Sequence, residues 1–348
     1  MSTWTPKPDP LPWDTIELII GGIIPIGLIV IGTLGNILCI GILLSEAHRQ
    51  TSTNVYLIFL CLMDTISLYQ WNLSRALQVF TNNKQTMWGS SLIMCKLSQF
   101  FPYYTLHTSA MFLTLVELDR ACLLRSRWFK NKIARPRIAL IISVLILICF
   151  IAIDGFLFGL GFETSIYNNS TGTVQTKISC FYSLNTDFYN FYVYSYITMH
   201  LAIMYIIPFS VIVICTLLTI NKLFVGQIST NDQLARSAYR NRRISFMLLL
   251  MCLAYIICTL PNRLCFSVFK DQIMGHDYTD TVLLGSNTLM YARNAIDIFF
   301  LYISVPAFRE DVNKLVLKCI RKMPTENELM QRTQQTRQTR QTTTRNNN

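Results

Sequence analysis

Charged residues are scarce in this amino-acid sequence. Asp, Glu, Lys and Arg make up 14% of its 348 residues, whereas soluble domains contain roughly 25%. A water-soluble fold of this length would therefore have too few charges to cover its surface. Intrinsic disorder is excluded as well, because 52% of the residues are hydrophobic and 12% are aromatic, and disordered chains are poor in both types. The composition predicts an integral membrane protein.

The sequence also lacks the motifs of two classes of membrane enzyme. It has no His-Glu-x-x-His run of the kind that zinc proteases use, and its four histidines are scattered. It has no Gly-Lys phosphate-binding loop and no large soluble domain that would hydrolyse a nucleotide. We therefore expect a protein that is not an enzyme and that needs no organic cofactor.

Seven apolar segments are long enough to cross a bilayer, which takes about 20 residues of α-helix. They run approximately over Ile16–Leu44, Val55–Phe80, Leu92–Leu124, Ile138–Gly161, Tyr189–Phe224, Ile244–Phe269 and Thr281–Val305. Strands of a membrane β-barrel would be about 10 residues long and would alternate in polarity, and these segments do not alternate. The prediction is an all-α fold, a seven-transmembrane helix bundle.

Lys and Arg are distributed unevenly over the loops between these segments. Of the 30 basic residues, 21 lie on one side of the predicted bundle, and the positive-inside rule makes that side cytoplasmic. Seven spans then place the N-terminus outside the cell and the C-terminus inside. The net charge of +11 is thus an orientation signal, and we expect no nucleic-acid partner.

The same distribution divides the chain into four parts. We predict an extracellular tail over 1–15, the transmembrane domain over 16–305, a short amphipathic eighth helix over 306–323 and a disordered cytoplasmic tail over 324–348. The basic face of the amphipathic helix suits the anionic lipid of the inner leaflet. Cys319 in this helix is a candidate for palmitoylation.

Two pairs of residues indicate chemistry on the outer side. Cys95 and Cys180 lie at or in predicted outer loops, where disulfides can form. Asn168 and Asn169 begin two overlapping Asn-x-Ser/Thr sequons in the loop after the fourth span. Both asparagines are candidate glycosylation sites.

Several ionisable residues fall inside the predicted spans, where each costs roughly 2.5–3.5 kcal/mol on insertion scales. Asp64 lies near the middle of the second span, so its side chain needs a cation or polar neighbours. Arg293 and Asp297 are four residues apart on one face of the seventh span, and a local ion pair is expected. Asp154 in the fourth span has no partner that the sequence identifies.

Short motifs in a characteristic order resemble those of the rhodopsin-like (class A) G-protein-coupled receptors, over roughly Ile16 to Cys319. They are Gly35-Asn36, Asn54 with Leu60 and Asp64, Trp88 seven residues before Cys95, Cys95 twenty-five residues before Arg120, Cys258-Thr-Leu-Pro261, Asn294, and Phe299-Phe-Leu-Tyr302 followed by Phe308-Arg309. The resemblance implies a multi-pass receptor of the plasma membrane that binds an extracellular ligand and activates a heterotrimeric G protein. Arrestin and receptor kinases are implied as partners of the threonine-rich tail.

The resemblance also assigns an activation switch on the cytoplasmic side. Asp119 would hold Arg120 by a charge-assisted pair in the resting state. Release of Arg120 as the sixth span swings outward would open a crevice for the G protein. Pro261 in the sixth span and Tyr302 in the seventh belong to the same switch.

Two further features are implied by the resemblance alone. Cys95 and Cys180 would form the outer disulfide. Asp64, Ser109 and Asn294 match members of a sodium pocket, and a carboxylate with hydroxyl and amide oxygens suits Na⁺, a hard cation. An allosteric sodium ion at Asp64 and Ser109 is therefore expected.

Departures from the family pattern mark a divergent member. Ala121 replaces the tyrosine of Asp-Arg-Tyr, Thr259 replaces the sixth-span tryptophan, and Ile298 replaces an asparagine that would strengthen the sodium site. A decoy receptor that binds without signalling is one alternative. An ion-coupled seven-span transporter is another, with Asp64, Asp154 and Asp297 as its ion path.

The resemblance also narrows the ligand. The seventh span has no lysine for retinal, and Pro102 stands where amine receptors carry an aspartate. The Phe-Phe-x-Tyr run that ends at Tyr302 is similar to that of invertebrate FMRFamide-type neuropeptide receptors, which favours a peptide. Arg75 and Arg263, toward the outer half, are candidate contacts for an acidic or carbonyl group of the ligand. Hydrogen bonding of both to backbone carbonyls is the alternative.

Overall fold

The computed structural model describes residues 12–45, 51–81, 91–168, 173–180, 182–225, 232–304 and 306–322. The predicted cytoplasmic tail over 324–348 and most of the predicted outer tail over 1–15 lie outside these residues. The predictions for those two segments stay predictions.

Seven long helices form an antiparallel bundle, which confirms the predicted all-α seven-helix fold. In chain order the spans are Pro12–Leu18 continued by Ile19–Ile23 and Ile24–Leu43, Ser52–Leu68 continued by Tyr69–Leu73 and Ser74–Phe80, Leu92–Arg125, Pro136–Asp154, Thr186–Asn190 continued by Phe191–Tyr196, Ile197–Leu201, Ala202–Ile206 and Ile207–Val225, Asp232–Arg263 continued by Leu264–Val268, and Thr279–Ser304. A short helix, Arg127–Lys132, follows the third span, a 3₁₀ turn, Gly155–Gly159, ends the fourth, and Lys270–Ile273 precedes the seventh. The eighth helix is Pro306–Lys322.

Local sequence signals explain where several spans begin. The second span starts after Thr51, whose hydroxyl accepts a hydrogen bond from the backbone N–H of Asn54. Ser91 caps the third span in the same way, accepting from the N–H of Met94 at 3.2 Å. Pro136 occupies the start of the fourth span, where its missing N–H costs nothing. These caps satisfy backbone donors that a helix start leaves without an intrahelical acceptor.

Proline interrupts the fifth and sixth spans, as predicted. Pro208 follows the wide π-helical turn Ala202–Ile206, and Pro261 precedes the π-helical turn Leu264–Val268. A proline inside a helix removes one backbone donor and clashes with the preceding turn. Local π adjustments let the freed carbonyls find other donors within the bundle. Both spans therefore continue past their prolines.

Five described helices are long and apolar enough to cross a membrane by length and composition alone. They are Thr15–Leu43, Ser52–Phe80, Pro136–Gly159, Thr186–Asn221 and Leu249–Phe266. The third and seventh spans contain 34 and 26 residues and so are long enough, but they carry more polar side chains. Those polar side chains, among them His107, Glu117 and Arg293, are buried inside the bundle, where they meet other polar groups and not lipid.

The outward faces of the first and fourth spans are apolar. Leu34 is 65% exposed and Leu145 is 58% exposed, and neighbouring isoleucines such as Ile37 and Ile148 are exposed in the same way. In water, an apolar surface of this extent would drive association. In a bilayer it is the surface that faces lipid.

The main hydrophobic core lies where the first span ends and the second begins. Phe112, Val116 and Met251 are at its centre and are fully buried. Phe308 and Val312 of the eighth helix join the same core. The eighth helix is thus held against the bundle by its apolar face, as the sequence pattern predicts.

A β-hairpin follows the fourth span at the opposite end of the bundle, called here the outer end. Strand β1, Phe162–Asn168, pairs antiparallel with strand β2, Thr173–Ser179. Phe162 lies opposite Ser179, and Asn168 lies opposite Thr173. From the sequence this segment is expected only as an outer loop, because two strands of seven residues give little signal beside seven apolar helices.

Close packing of three spans at Gly32 gives a first prediction. A Cβ atom at Gly32 would lie 2.9 Å from the Cβ and 3.1 Å from the Cα of Ala295, and it would overlap the side chain of Leu68. Because a backbone atom of Ala295 blocks the space, Gly32→Ala should cost about 1–3 kcal/mol of stability through overpacking. The measurement is the melting temperature of the purified chain in detergent.

The control for this prediction lies on the same helix. A Cβ atom at Gly27 would meet nothing within 4 Å, so Gly27→Ala should leave the melting temperature unchanged or raise it slightly, since alanine favours helix. Equal melting temperatures for the Gly32→Ala and Gly27→Ala variants would contradict the packing argument.

Candidate functional site

A cavity of about 460 Å³ opens between the spans toward the outer end. The side chains that line it are mainly carboxamides, hydroxyls and aromatic rings. They are Gln70, Trp71, Ser74, Arg75, Gln78, Ser98, Gln99, Pro102, Tyr103, Leu106, Tyr192, His200, Asn262, Phe266, Asn287, Met290 and Tyr291. A volume of this size, with apolar walls and convergent polar groups, is typical of a small-ligand pocket.

Wide helical turns supply part of the cavity wall. Trp71 lies in the π-helical turn Tyr69–Leu73, and Tyr192 and Phe266 lie in corresponding turns of the fifth and sixth spans. A π turn shifts the direction of the side chains that follow it and is common at functional sites. These turns were not predicted, because nothing in a run of apolar residues distinguishes a π turn from an α turn.

Arg75, one of the two predicted ligand contacts, lines the cavity. Its side chain is half-buried, and its Nη1 donates a hydrogen bond to Oε1 of Gln78 at 3.0 Å. The pairing with a neutral amide leaves the positive charge of Arg75 without a carboxylate among the described ion pairs. A ligand carboxylate or carbonyl would therefore meet an uncompensated guanidinium.

Arg263, the other predicted contact, is not among the side chains that line the cavity. The preceding residue, Asn262, lines it instead and donates from Nδ2 to Oδ1 of Asn287 at 2.7 Å. One residue along a helix turns the side chain by about 100°, which is enough to place a neighbour in the cavity and Arg263 beside it. The charge of Arg263 still acts on Tyr103 and His200 at the cavity edge.

A chain of buried polar side chains supports the cavity from below. His200 lines the cavity, and its Nδ1 is hydrogen-bonded to Nε2 of His107 at 2.7 Å. Nδ1 of His107 lies 3.0 Å from Oδ1 of Asp154. The hydroxyl of Tyr196 donates to the same oxygen at 2.9 Å. Four side chains of the third, fourth and fifth spans thus form one network, and Asp154 has the partners that the sequence could not name.

No sequence signal links the members of this network. His107 and Asp154 are 47 residues apart, and His107 and His200 are 93 apart. The one clue is that a carboxylate in a lipid-facing span needs donors, and that two of the scattered histidines also fall in spans. Only the rotation of three helices about their axes brings these side chains together.

The predicted outer disulfide is present. Cys95 near the start of the third span is bonded to Cys180 after strand β2, with their Cα atoms 5.3 Å apart. Gly161 lies against this bond with a φ of +88°, and a Cβ atom there would be 2.9 Å from Sγ of Cys95. Glycine is required at this position by both the backbone angle and the space. The disulfide fastens the hairpin over the outer end of the third span.

The predicted sodium ligands converge on one point between the second, third and seventh spans. Ser109 donates to Oδ1 of Asp64 at 2.5 Å, and Asn294 donates from Nδ2 to Ser67 at 2.9 Å. Arg293 lies among them, with Nη1 at 3.1 Å from Oδ1 of Asp64. The ion pair of Arg293 with Asp297, predicted from their spacing, is confirmed at 3.2 Å.

The predicted cytoplasmic switch residues lie at the end of the bundle opposite the hairpin or lead toward it. Asp119 accepts hydrogen bonds from the hydroxyls of Ser52, at 2.8 Å, and Thr53 at the start of the second span. Tyr302 donates to Oδ1 of Asn313 in the eighth helix at 3.1 Å. The pairing of Asp119 with Arg120 stays a prediction, as does a role for Pro261 in switching.

The predicted modification sites are only partly described. Asn168 ends strand β1 at the tip of the hairpin, but its side chain and all of Asn169 lie outside the described part of the chain. Cys319 lies in the eighth helix, and its side chain lies outside that part as well. Glycosylation and palmitoylation therefore stay predictions.

Comparison with known proteins identifies similar sequences over most of the chain. The family model described as "7 transmembrane receptor (rhodopsin family)" matches residues 35–297. Mouse purinoceptor 2 is 27% identical over 238 residues, which cover 67% of this chain and 58% of the relative. Rat somatostatin receptor type 1 is 22% identical over 75% of this chain and 65% of the relative.

A third relative is named for another peptide. The substance-P receptor of the frog Aquarana catesbeiana is 23% identical over 69% of this chain and 56% of the relative. The chain thus spans less than two thirds of the length of each of these three relatives. Their names mention one purine and two peptide ligands.

Proposed function

The chain belongs to the rhodopsin family of seven-transmembrane receptors, and we propose that it binds an extracellular peptide in its outer cavity and signals through a heterotrimeric G protein. As a member of this family it is a multi-pass membrane receptor. In our proposal the hairpin end faces outward and the eighth helix faces the cytoplasm. The observation that carries the proposal is the cavity, which is closed at its base by the His107 network and lined by amide and aromatic groups.

The chemistry of the cavity suits a peptide. Five carboxamide side chains line it, namely Gln70, Gln78, Gln99, Asn262 and Asn287. A carboxamide both donates and accepts hydrogen bonds, so it matches the alternating donors and acceptors of a peptide backbone. Aromatic rings such as Trp71 and Tyr291, which stack at 6.3 Å, offer apolar surface to peptide side chains.

Arg75 gives the cavity its charge preference. The guanidinium binds a carboxylate through paired hydrogen bonds, so the ligand would place an acidic side chain, a C-terminal carboxylate or a carbonyl there. Somatostatin and substance P, named by two relatives, are peptides. The purinoceptor relative makes a purine with an acidic group the ligand to test beside them.

Signalling would follow from movement at the opposite end. Asp119 is held by hydroxyls of the second span, and Tyr302 is held by the eighth helix. Both contacts join the spans that border the cytoplasmic crevice. In our proposal agonist binding releases these contacts, and the G protein enters where they open. Arrestin and receptor kinases would act on the tail, and Cys319 would carry palmitate.

The experiment is a ligand screen on cells that express the full chain. A peptide library and a purine set are applied, and nucleotide exchange on several G proteins is recorded. We expect a peptide to stimulate exchange. Binding without exchange on any G protein would establish the decoy alternative. Uptake of solute into vesicles without a G protein would establish the transporter alternative, and either result would overturn the proposal.

A charge variant then locates the ligand. Arg75→Gln should weaken agonist potency by about ten- to a hundredfold, because a hydrogen bond to a charged group contributes about 1.5–3 kcal/mol. Lys177→Gln removes the same charge from exposed strand β2 and should leave potency unchanged. Equal potencies for the wild-type and Arg75→Gln receptors, at equal surface expression, would place the ligand elsewhere.

A further inference from the structure

The guanidinium of Arg293 occupies the centre of the predicted sodium pocket. Its Nη1 donates to Oδ1 of Asp64 at 3.1 Å, to the hydroxyl of Ser109 and to Oδ1 of Asn294 at 3.2 Å. Its Nη2 donates to Oδ2 of Asp297 at 3.2 Å. Each of the three oxygens predicted to bind Na⁺ thus takes a hydrogen bond from one nitrogen of this side chain.

The cluster is sealed from solvent. Asp64 and Asn294 are 0% exposed, Ser109 is 1% exposed, and Arg293 and Asp297 are 2% exposed. In so dry a site a charge needs a partner of the opposite sign and good hydrogen bonds. Arg293 supplies one positive charge to two carboxylates and also uses the neighbouring hydroxyl and amide oxygens.

These residues do not fit a sodium ion while Arg293 is in place. Na⁺ binds where several oxygens point at one position, and Nη1 is already within hydrogen-bond distance of all three oxygens that would serve. A second cation at that position would overlap the guanidinium nitrogen. A cation beside it would meet a like charge at close range and low dielectric. The ligand set is present, but its cation is part of the chain.

The same guanidinium also contacts the sixth span. Its Cζ lies 5.5 Å from the ring centroid of Tyr255, a geometry in which a cation is attracted to an aromatic face. The hydroxyl of Tyr255 donates to the backbone carbonyl of Met204 in the fifth span. Arg293 therefore touches the second, third, sixth and seventh spans at once.

We propose that Arg293 is the resident cation of this receptor and takes the place of the allosteric sodium ion. The inference rests on the family only for the expectation of sodium, and it is independent of the ligand and of G-protein coupling. It predicts a receptor whose stability and resting state do not respond to sodium. The link between the charged cluster and the sixth span is then covalently anchored and always occupied.

The test uses sodium itself as the probe. The full chain is purified in detergent, and its melting temperature is measured in rising NaCl against choline chloride of equal ionic strength. We expect the two salts to give the same melting temperature, to within about 1 °C. A saturable rise that is specific to sodium in the wild-type chain would overturn the proposal, whether or not any variant folds.

A charge-neutral double variant should create the missing response. Arg293→Met with Asp297→Asn removes one charge of each sign and leaves Asp64, Ser109 and Asn294 without the guanidinium. Sodium should now raise the melting temperature by an amount on the order of 3 °C, because it binds only the folded state. Arg309→Met with Glu310→Gln removes the same two charges from the exposed eighth helix and should show no sodium response.

The double variant also decides between two reasons for an indifferent wild type. If the Arg293→Met/Asp297→Asn chain folds and still does not respond to sodium, Arg293 is not what keeps the ion out, and the proposal fails. None of these results depends on an agonist or a G protein. Failure of this inference would therefore leave the proposed receptor function standing, and the reverse also holds.

Discussion

The Arg293→Met variant is expected to be less stable than the wild-type chain by about 3–5 kcal/mol, the cost of removing one partner from a buried ion pair. Methionine has a similar length and fills much of the space, so the loss is mainly electrostatic. Asp64 and Asp297, both buried, would remain without the positive charge that bonds them at 3.1 Å and 3.2 Å. The measurement is the melting temperature in choline chloride, together with surface expression.

A double-mutant cycle isolates this effect. Asp297→Asn alone should cost less, because Arg293 keeps its bond to Asp64. The combined Arg293→Met/Asp297→Asn variant should be more stable than the sum of the single losses predicts, since residues in one ion-pair network couple. Arg309→Met, on the exposed face of the eighth helix, controls for the loss of an arginine. Strict additivity of the two single variants would show that Arg293 and Asp297 do not act together.

The Asp154→Ala variant is expected to lose about 3 kcal/mol or more of stability and to weaken agonist binding. Asp154 accepts hydrogen bonds from His107 and Tyr196 at 3.0 Å and 2.9 Å. Removing the carboxylate leaves two buried donors without an acceptor, and each costs about 1–3 kcal/mol. The ring of His107 then loses its orientation, and with it His200 at the cavity wall. Thermal melting and agonist competition measure the two effects.

Two matched variants give this prediction its controls. Asp154→Asn keeps one acceptor oxygen and should lie between the wild type and Asp154→Ala in stability. Asp187→Ala removes an aspartate from the exposed start of the fifth span and should change neither readout. A loss of stability without any change in agonist affinity would mean that the network supports the fold but does not position His200 for the ligand.

Arg293 and the His107 network illustrate how a membrane protein handles buried charge. The first places a cation between two carboxylates, and the second places a carboxylate against hydrogen-bond donors. Both lie within spans that are too polar to face lipid, or on the inward side of spans that do. Each removes the cost of a charged group by local pairing, and each joins at least three spans.

The sequence predicted part of the candidate site because family motifs name positions. Asp64, Ser109 and Asn294 do converge, and Cys95 is bonded to Cys180. The same motifs say nothing of a residue that the pattern does not contain. Arg293 was expected to pair locally with Asp297, which it does, but its bond to Asp64 spans 229 residues.

The two ligand arginines show the same limit at short range. Arg75 and Arg263 fall at similar depth in their predicted spans, yet only Arg75 lines the cavity. Depth follows from counting residues along a helix. Which side of the helix faces the cavity depends on its rotation, and the π-helical turns in the second and sixth spans change that rotation locally.

The sequence by itself determined the scarcity of charge, the seven apolar spans and the side on which the basic residues collect. These are sums over local stretches of chain, and the bilayer responds to such sums through length and hydropathy. Only the tertiary structure decided which polar groups meet, because a buried charge is paired by whichever side chains helix packing and rotation bring within about 3 Å. The cation of the predicted sodium pocket is the clearest case, since its ligands were readable and its occupant was not.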